Sequence, residues 1–478
     1  MTQTPTGRAG VPGQYPAGGT GAPPPPAGAP RRQRAWRESA ERLRVAAGTE
    51  PGRLRIIGAV LALLVVAFGA VTAWQVTGRQ TAADNVLHHS APLSADAAEI
   101  YRSLADADAT VAGGFLVGGQ EPATVSDRYQ KDIDRAAKLI TRAAANSAGS
   151  PEARTQIAAL NRQLPLYTQY VATAQADNRQ GLPLGGAYLR YADQQMRMKN
   201  GLLDAADKLY KAETARLGDD YSAAKALPYA AWTLGVLALA LLVWAQRRHY
   251  ERTNRVFNRG MLAASAASAV VLLWLVVGHT VARTQLDTSY THGAKSMQVL
   301  NNARIQVLQA RGDENLTLVA RGSGDQYQQN FGAGMTTLAG KENAREPGGD
   351  LAQALALADD AKGRTPVETA ITSVRTWRAR HDQERASDDG GDYTTAVAQV
   401  IGGKDSKGRT VQQTTGQCFD QTDTSLGQAV LQEQREFNSA AGDGRDALSL
   451  LPFGAGLLAL LGAAGAVLGI GRRLSEYR

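Results

Sequence analysis

Four apolar stretches, at residues 56–76, 227–245, 261–282 and 450–470, constrain this 478-residue chain more than any other feature. Each is long enough to cross a bilayer as a helix, which takes about 17 to 25 residues. They order the chain as span, large polar segment, span and short connection, and then span, large polar segment and span again. The two polar segments, 77–226 and 283–449, therefore share one face of the membrane. The opposite face receives residues 1–53, the connection 246–260 and the tail 471–478.

Charge gives this arrangement a direction. The net charge of +8 invites a nucleic-acid reading until the basic residues are located. Arg31, Arg32, Arg34, Arg37, Arg42, Arg44, Arg53 and Arg55 precede the first span. Arg247, Arg248, Arg252, Arg255 and Arg259 fill the central connection, and Arg472, Arg473 and Arg478 follow the last span. Lys and Arg beside membrane spans mark the cytoplasmic side. Both termini and the connection are thus expected inside, the two large segments outside, and no nucleic-acid partner is implied. The first span begins more than fifty residues in and lacks a small-residue cleavage site, so it reads as a retained helix, not a signal peptide.

Residues 1–30 are rich in Pro, Gly and Ala and cannot bury a core; a disordered tail with polyproline character is expected. Over 34–47, Trp36, Ala40, Leu43 and Ala47 recur at helical spacing among Arg and Glu. Such a segment can lie on anionic lipid as an amphipathic helix or act only as a basic flank. The inner pieces are too short to hold a kinase or cyclase. Any inward signal must pass through another protein. The single cysteine, Cys418, permits no intrachain disulfide, so the outer segments must be held by packing.

Helical periodicity dominates those segments. Leu93, Ala97, Ile100, Leu104, Ala107 and Val111 step by three and four. So do Ile157, Leu160, Leu164, Tyr167, Val171 and Ala174, then Leu300, Ala303, Val307 and Ala310, then Val367, Ala370, Val374 and Trp377. Gly and Pro clusters at 118–122, 149–151, 181–186, 347–349 and 390–391 punctuate the pattern. The fold class is all-α: four transmembrane helices carrying two extracytoplasmic bundles, each of about four helices.

The two halves also share residues in the same order. Ala98, Ile100, Ala105 and Asp108 match Ala303, Ile305, Ala310 and Asp313 at a constant offset. Asp127-x-Tyr129-Gln130 matches Asp325-x-Tyr327-Gln328, and Gly185-Gly186-x-Tyr188 matches Gly390-Gly391-x-Tyr393. Asp204-x-x-Asp207 matches Asp420-x-x-Asp423, and Leu227-Pro228-Tyr229 matches Leu451-Pro452-Phe453. Five matches in order indicate an internal repeat. Asp108, Asp127, Tyr129, Asp313, Asp325 and Tyr327 are the candidate ligand or partner residues. Shared residues in a repeat also serve packing and turns.

Residues 115–122, Phe-Leu-Val-Gly-Gly-Gln-Glu-Pro, followed by Tyr129, resemble the first hairpin of four-helix-bundle sensor domains in chemoreceptors and histidine kinases. In the second half the Phe is replaced, over 318–322. The whole plan resembles the GlnX-type four-span membrane proteins of Actinobacteria over about 53–472. That resemblance implies a glutamine-binding-type lipoprotein as outer partner and a soluble Ser/Thr kinase, protein kinase G, inside. It implies a transducer of extracytoplasmic glutamate or aspartate availability and carries no individual binding residue.

No catalytic constellation appears. In Gly402-Gly403-Lys404-Asp405-Ser406 an Asp stands where a phosphate loop needs Ser or Thr. His88 and His89 are adjacent and cannot share one helix face, so no zinc site is expected. Nothing in the sequence implies an enzyme or a cofactor. His279 falls near an outer span end, where a wet interface suffices. The spans carry few ionisable residues, which disfavours transport. Gly465 and Gly469 form a G-x-x-x-G pair suited to close helix contact. Two readings remain: a sensor-transducer, or a structural envelope scaffold for wall or division factors. A homo-oligomer is compatible with both, and the sequence leaves open whether the bundles pack on each other.

Overall fold

The computed structural model describes residues 50–119, 121–147, 149–253, 258–342 and 346–474. The Pro-rich tail and the amphipathic segment expected over 34–47 lie outside them. The first half runs α1 (Glu50–Asn85), a π-helical turn (Val86–Ser90), α2 (Ala91–Val117), α3 (Ala123–Asn146), α4 (Pro151–Arg179), α5 (Leu184–Arg197), α6 (Leu202–Lys225) and α7 (Tyr229–Thr253). The second runs α8 (Arg259–Thr288), a π-helical turn (Ser289–Ala294), α9 (Lys295–Val319), α10 (Asp325–Ala339), α11 (Gly349–Leu357), α12 (Ala361–Asp389), α13 (Tyr393–Ile401), α14 (Thr415–Asp446) and α15 (Leu451–Leu474). No strand occurs among the described residues; Lys404 and Thr410 form an isolated antiparallel bridge.

Four helices are long and apolar enough to cross a membrane, consistent with a multi-pass membrane protein. Helices α1, α15, α8 and α7 pack in that cyclic order. Their outer surface is apolar: Trp74 is 74% exposed and Phe453 82%. Inside, small residues let backbones approach. A Cβ on Gly260 would lie 2.2 Å from the Gly465 carbonyl oxygen and 2.7 Å from the Gly469 Cα. The G-x-x-x-G pair of α15 therefore faces the start of α8. His279 is buried among these helices, its ring edge-on to that of Trp232.

The spans do not stop where hydropathy does. Through the π turn, α1 and α2 form one helical rod of 66 residues, and α8 and α9 one of 61. At 1.5 Å per residue the first is roughly 100 Å long. The return helices break instead: α6 ends before Pro228 and α14 before Pro452, each Pro lacking the N–H that an unbroken helix would use. Helix α7 runs through residue 253, into the expected connection. Gln246 ties it to α8, donating to the Met261 carbonyl at 3.0 Å and to Ser265 Oγ at 2.7 Å.

Each half outside the spans has four longer helices, as its periodicity predicts, plus short ones: α5 in the first, α11 and α13 in the second. Several of the extra breaks lack a Gly-Pro cluster. Before α6, Asn200 takes a left-handed conformation at φ 63°, and a Cβ on Gly201 would crowd the carbonyl oxygens of Gln195, Met196 and Met198.

The two halves pack together. One core runs through both, from Ile100, Leu104 and Tyr167 in the first to Val307, Trp377 and Leu426 in the second. Helices α2 and α9 lie side by side at its centre. Sandwiched between their own half and the other, they are buried on every side over 103–109 and 311–318.

Candidate functional site

The α2–α9 seam buries charge. Helix α5 ends at Arg197, and the turn through Asn200 and Gly201 fixes where that end falls. The guanidinium sits at the helix C-terminus, where the peptide dipoles favour a cation. Its Nε lies 2.8 Å from Asp193 Oδ1, one turn back on α5, and 3.2 Å from Asp108 Oδ2 on α2. Its Nη1 crosses the seam to Asp313 Oδ1 on α9 at 2.6 Å. Gly312 makes room, since a Cβ there would lie 2.1 Å from Arg197 Nη2. Tyr327 on α10 donates across the seam to Asp193 Oδ2 at 2.9 Å, and Tyr167 on α4 donates to Asp108 Oδ1 at 3.4 Å.

One guanidinium thus serves three buried carboxylates. Taking a carboxylate out of water favours its neutral form, and a like charge nearby adds to this. Burial pushes Asp108 up to about 7, with Asp193 and Asp313 adding to the rise against the pull of Arg197. Burial raises Asp313 to about 6 and also raises Asp193. Burial thus favours the protonated forms of all three carboxyls, and carboxylates this close titrate together.

Other polar contacts flank it. Gln309 on α9 donates to the Tyr101 hydroxyl on α2, and Asn315 donates to the Ala109 carbonyl at 2.9 Å. Arg128 on α3 binds Asp106 at 2.8 Å and reaches Asp420 on α14 at 3.3 Å. Nearer the spans, Tyr221 and Ser289 are 2.6 Å apart and Lys225 pairs with Asp287 at 2.8 Å.

A cleft opens on each side of the seam. One, of about 700 Å³, lies between α2 and α3 of the first half and α13 and α14 of the second, with Arg128, Arg311 and Phe419 in its wall. The other, of about 750 Å³, lies between α9 and α10 of the second half and α5 and α6 of the first, with Arg197, Asp207 and Asp313 in its wall. The halves exchange roles between the clefts, as two subunits do about a two-fold axis.

Of the six candidate residues, Asp108, Asp313 and Tyr327 belong to the Arg197 cluster, and Tyr129 is buried in the same core. Asp127 and Asp325 are exposed near the starts of α3 and α10 and do not join them. Arg197 and Asp193, which organise the cluster, were not among the candidates. Their signal is an i,i+4 acid–base pair, and the more accessible pairs Asp204–Lys208 and Asp207–Lys211 look the same in sequence.

Residues 82–222, from the end of α1 to α6, match a family model described as an actinobacterial sensor domain. The match covers most of the polar segment of the first half and supports a sensor-type protein. Neither the curated proteins nor the solved structures give a match.

Proposed function

We propose that this chain is a transmembrane sensor-transducer, relaying extracytoplasmic glutamate or aspartate availability from a glutamine-binding-type lipoprotein to a cytoplasmic Ser/Thr kinase. The observation that carries the reading is continuity. The seam helices α2 and α9 are the outer ends of the rods that form two of the four membrane-capable helices. A displacement of Asp108 relative to Asp313 therefore moves along a helix rather than dissipating in a loop. The sensor-domain match over 82–222 supports the sensing role. In this reading the two halves arose by duplication and form an intramolecular version of a sensor dimer, with the clefts and the seam facing outside and both termini inside.

The energy must come from a partner or ligand that binds one seam arrangement more tightly than another. The mixed charge of Arg128, Arg311 and Asp420 along one cleft and Arg197, Asp207 and Asp313 along the other offers recognition groups for a polar ligand or a protein surface. The test is to deplete the protein and follow kinase-dependent phosphorylation after adding glutamate or aspartate. Loss of the response, restored by the wild-type chain and not by Arg197→Gln, supports the transducer. An unchanged response overturns it and leaves the envelope scaffold. A reporter inserted after residue 253 that proves external overturns the orientation.

A further inference from the structure

Where α12 meets α9, the core of the second half contains a group of side chains that the sensing role does not use. His381 and Glu384 stand one turn apart on α12, and Glu314 faces them from α9. All three are at most 2% exposed. His381 Nδ1 lies 3.1 Å from Glu314 Oε1 and 3.2 Å from Glu384 Oε2, and the three atoms lie within 4.8 Å of one another. We propose that Glu314, His381 and Glu384 form a buried site for one divalent transition-metal ion of the zinc or manganese class.

The first argument is the tautomer. His381 Nε2 is 3.0 Å from Gln328 Oε1, a carbonyl oxygen that can only accept. Nε2 therefore carries a hydrogen, and in the neutral ring Nδ1 presents a lone pair. That lone pair faces two carboxylate oxygens. Three acceptors converge on one point, and something positive must stand among them. A metal-bound histidine that donates its other N–H to a carbonyl is the usual outer-shell arrangement.

The second argument is Glu384, which only a proton of its own or a cation can satisfy. A proton on Nδ1 can satisfy Glu314 Oε1, but Glu384 is left with no hydrogen-bond partner on either oxygen, although it is fully buried. The Arg385 guanidinium is 3.9 Å away. Glu314, by contrast, is already well served. Trp377 donates to its Oε1 at 2.9 Å, and Arg311 and Thr415 donate to its Oε2 at 2.6 and 3.0 Å. An ion is not directional and reaches all three donors at once. Nδ1 stands 3.1 and 3.2 Å from the two carboxylate oxygens, spacings that suit an ion bound at ~2.1 Å by one imidazole nitrogen and carboxylate oxygens. The face of Phe331, stacked 3.7 Å from the imidazole, holds the ring in place. Two residues at i,i+3 on one helix and a glutamate on a facing helix is how bundles build metal sites in their cores. Such an ion would join α12 to α9 at the residue next to Asp313.

The test uses the full-length chain in detergent. The protein is stripped with a chelator, incubated with Zn²⁺ or Mn²⁺, desalted and measured for bound metal. One ion per chain in the wild type is expected, with stoichiometric loss in Glu384→Gln and His381→Asn. Gln328→Leu should weaken binding about 10–100-fold, and His88→Gln, at an exposed histidine of the first half, should not change it. Circular dichroism confirms that the variants keep their helices. The chelator should lower the melting temperature of the wild type and leave that of Glu384→Gln unchanged. Full metal content in Glu384→Gln overturns the site. So does a wild type that binds neither ion, and so does a metal-free Glu384→Gln that melts higher than the wild type.

Discussion

Replacing Arg197 with Gln would leave Asp108, Asp193 and Asp313 without the cation they share. Removing one partner of a buried ion pair costs about 3–5 kcal/mol, so a large drop in melting temperature is expected in detergent. Arg197→Lys should restore little, because an ammonium cannot spread donors over three carboxylates as a planar guanidinium does. The cluster also sets a pH dependence. Asp108 rises on folding from its ordinary 3.8 to about 7. Its contribution is fully present below its unfolded value and is lost as pH rises through about 7. Asp313, at about 6, has the same sign, while Glu99, held down to about 2 by Arg102 and Arg135 against its burial, acts only in acid. Melting curves at pH 5.5 and pH 8 should show the wild type more stable at the lower pH, and Asp108→Asn should reduce the difference, with Asp132 and Asp313 still contributing in the same direction. At this scale the sequence was half legible. Asp108 and Asp313 stood out as repeat partners. Their meaning did not, because Arg197 lies 89 and 116 residues from them along the chain.

Helices were the most readable level. Every residue in the stripe Leu93, Ala97, Ile100, Leu104, Ala107 and Val111 is buried, as is every residue from Ile157 to Ala174 that the spacing picked out. Periodicity could not separate α2 and α9 from helices with one wet face. The run Arg311-Gly312-Asp313-Glu314-Asn315 reads as a solvated surface, yet all five residues are buried, because a second bundle covers the face that a lone bundle would leave in water. Glycine behaviour also depends on the neighbour. Gly260→Leu would drive a side chain into the backbone of α15, and overpacking of that kind costs about 1–3 kcal/mol. Gly218, inside α6, has nothing within 4 Å of a built Cβ, so Gly218→Ala should raise stability by up to about 1 kcal/mol. Thermal unfolding of the two variants side by side checks both signs.

At the scale of the molecule, the shared core and the seam contacts make the two halves act as a pair. Cutting the chain between α7 and α8 and co-expressing 1–253 with 254–478 should yield fragments that co-purify. Adding Arg197→Gln to the first fragment should weaken that association, since Asp313 of the second would lose its partner. Fragments that separate readily with the wild-type sequence would show that the covalent connection, and not the seam, holds the halves together. The rods give the pair its mechanical character. A helix of 66 residues with a π turn and no loop keeps the seam and the span in register, and the turn at Val86–Ser90 has its counterpart at Ser289–Ala294. Such turns recur at functional positions in helices.

What the sequence determined by itself was local in origin: four apolar runs of spanning length, basic flanks that predict an orientation, and apolar stripes that predict helices. Each depends on residues within a few turns of one another. Tertiary structure decided which polar residues are buried and with whom. It joined two bundles through α2 and α9, collected three carboxylates on Arg197, and enclosed Glu314 with His381 and Glu384. Those partners are brought together by packing across the whole chain, and no spacing along the sequence records the distance between them.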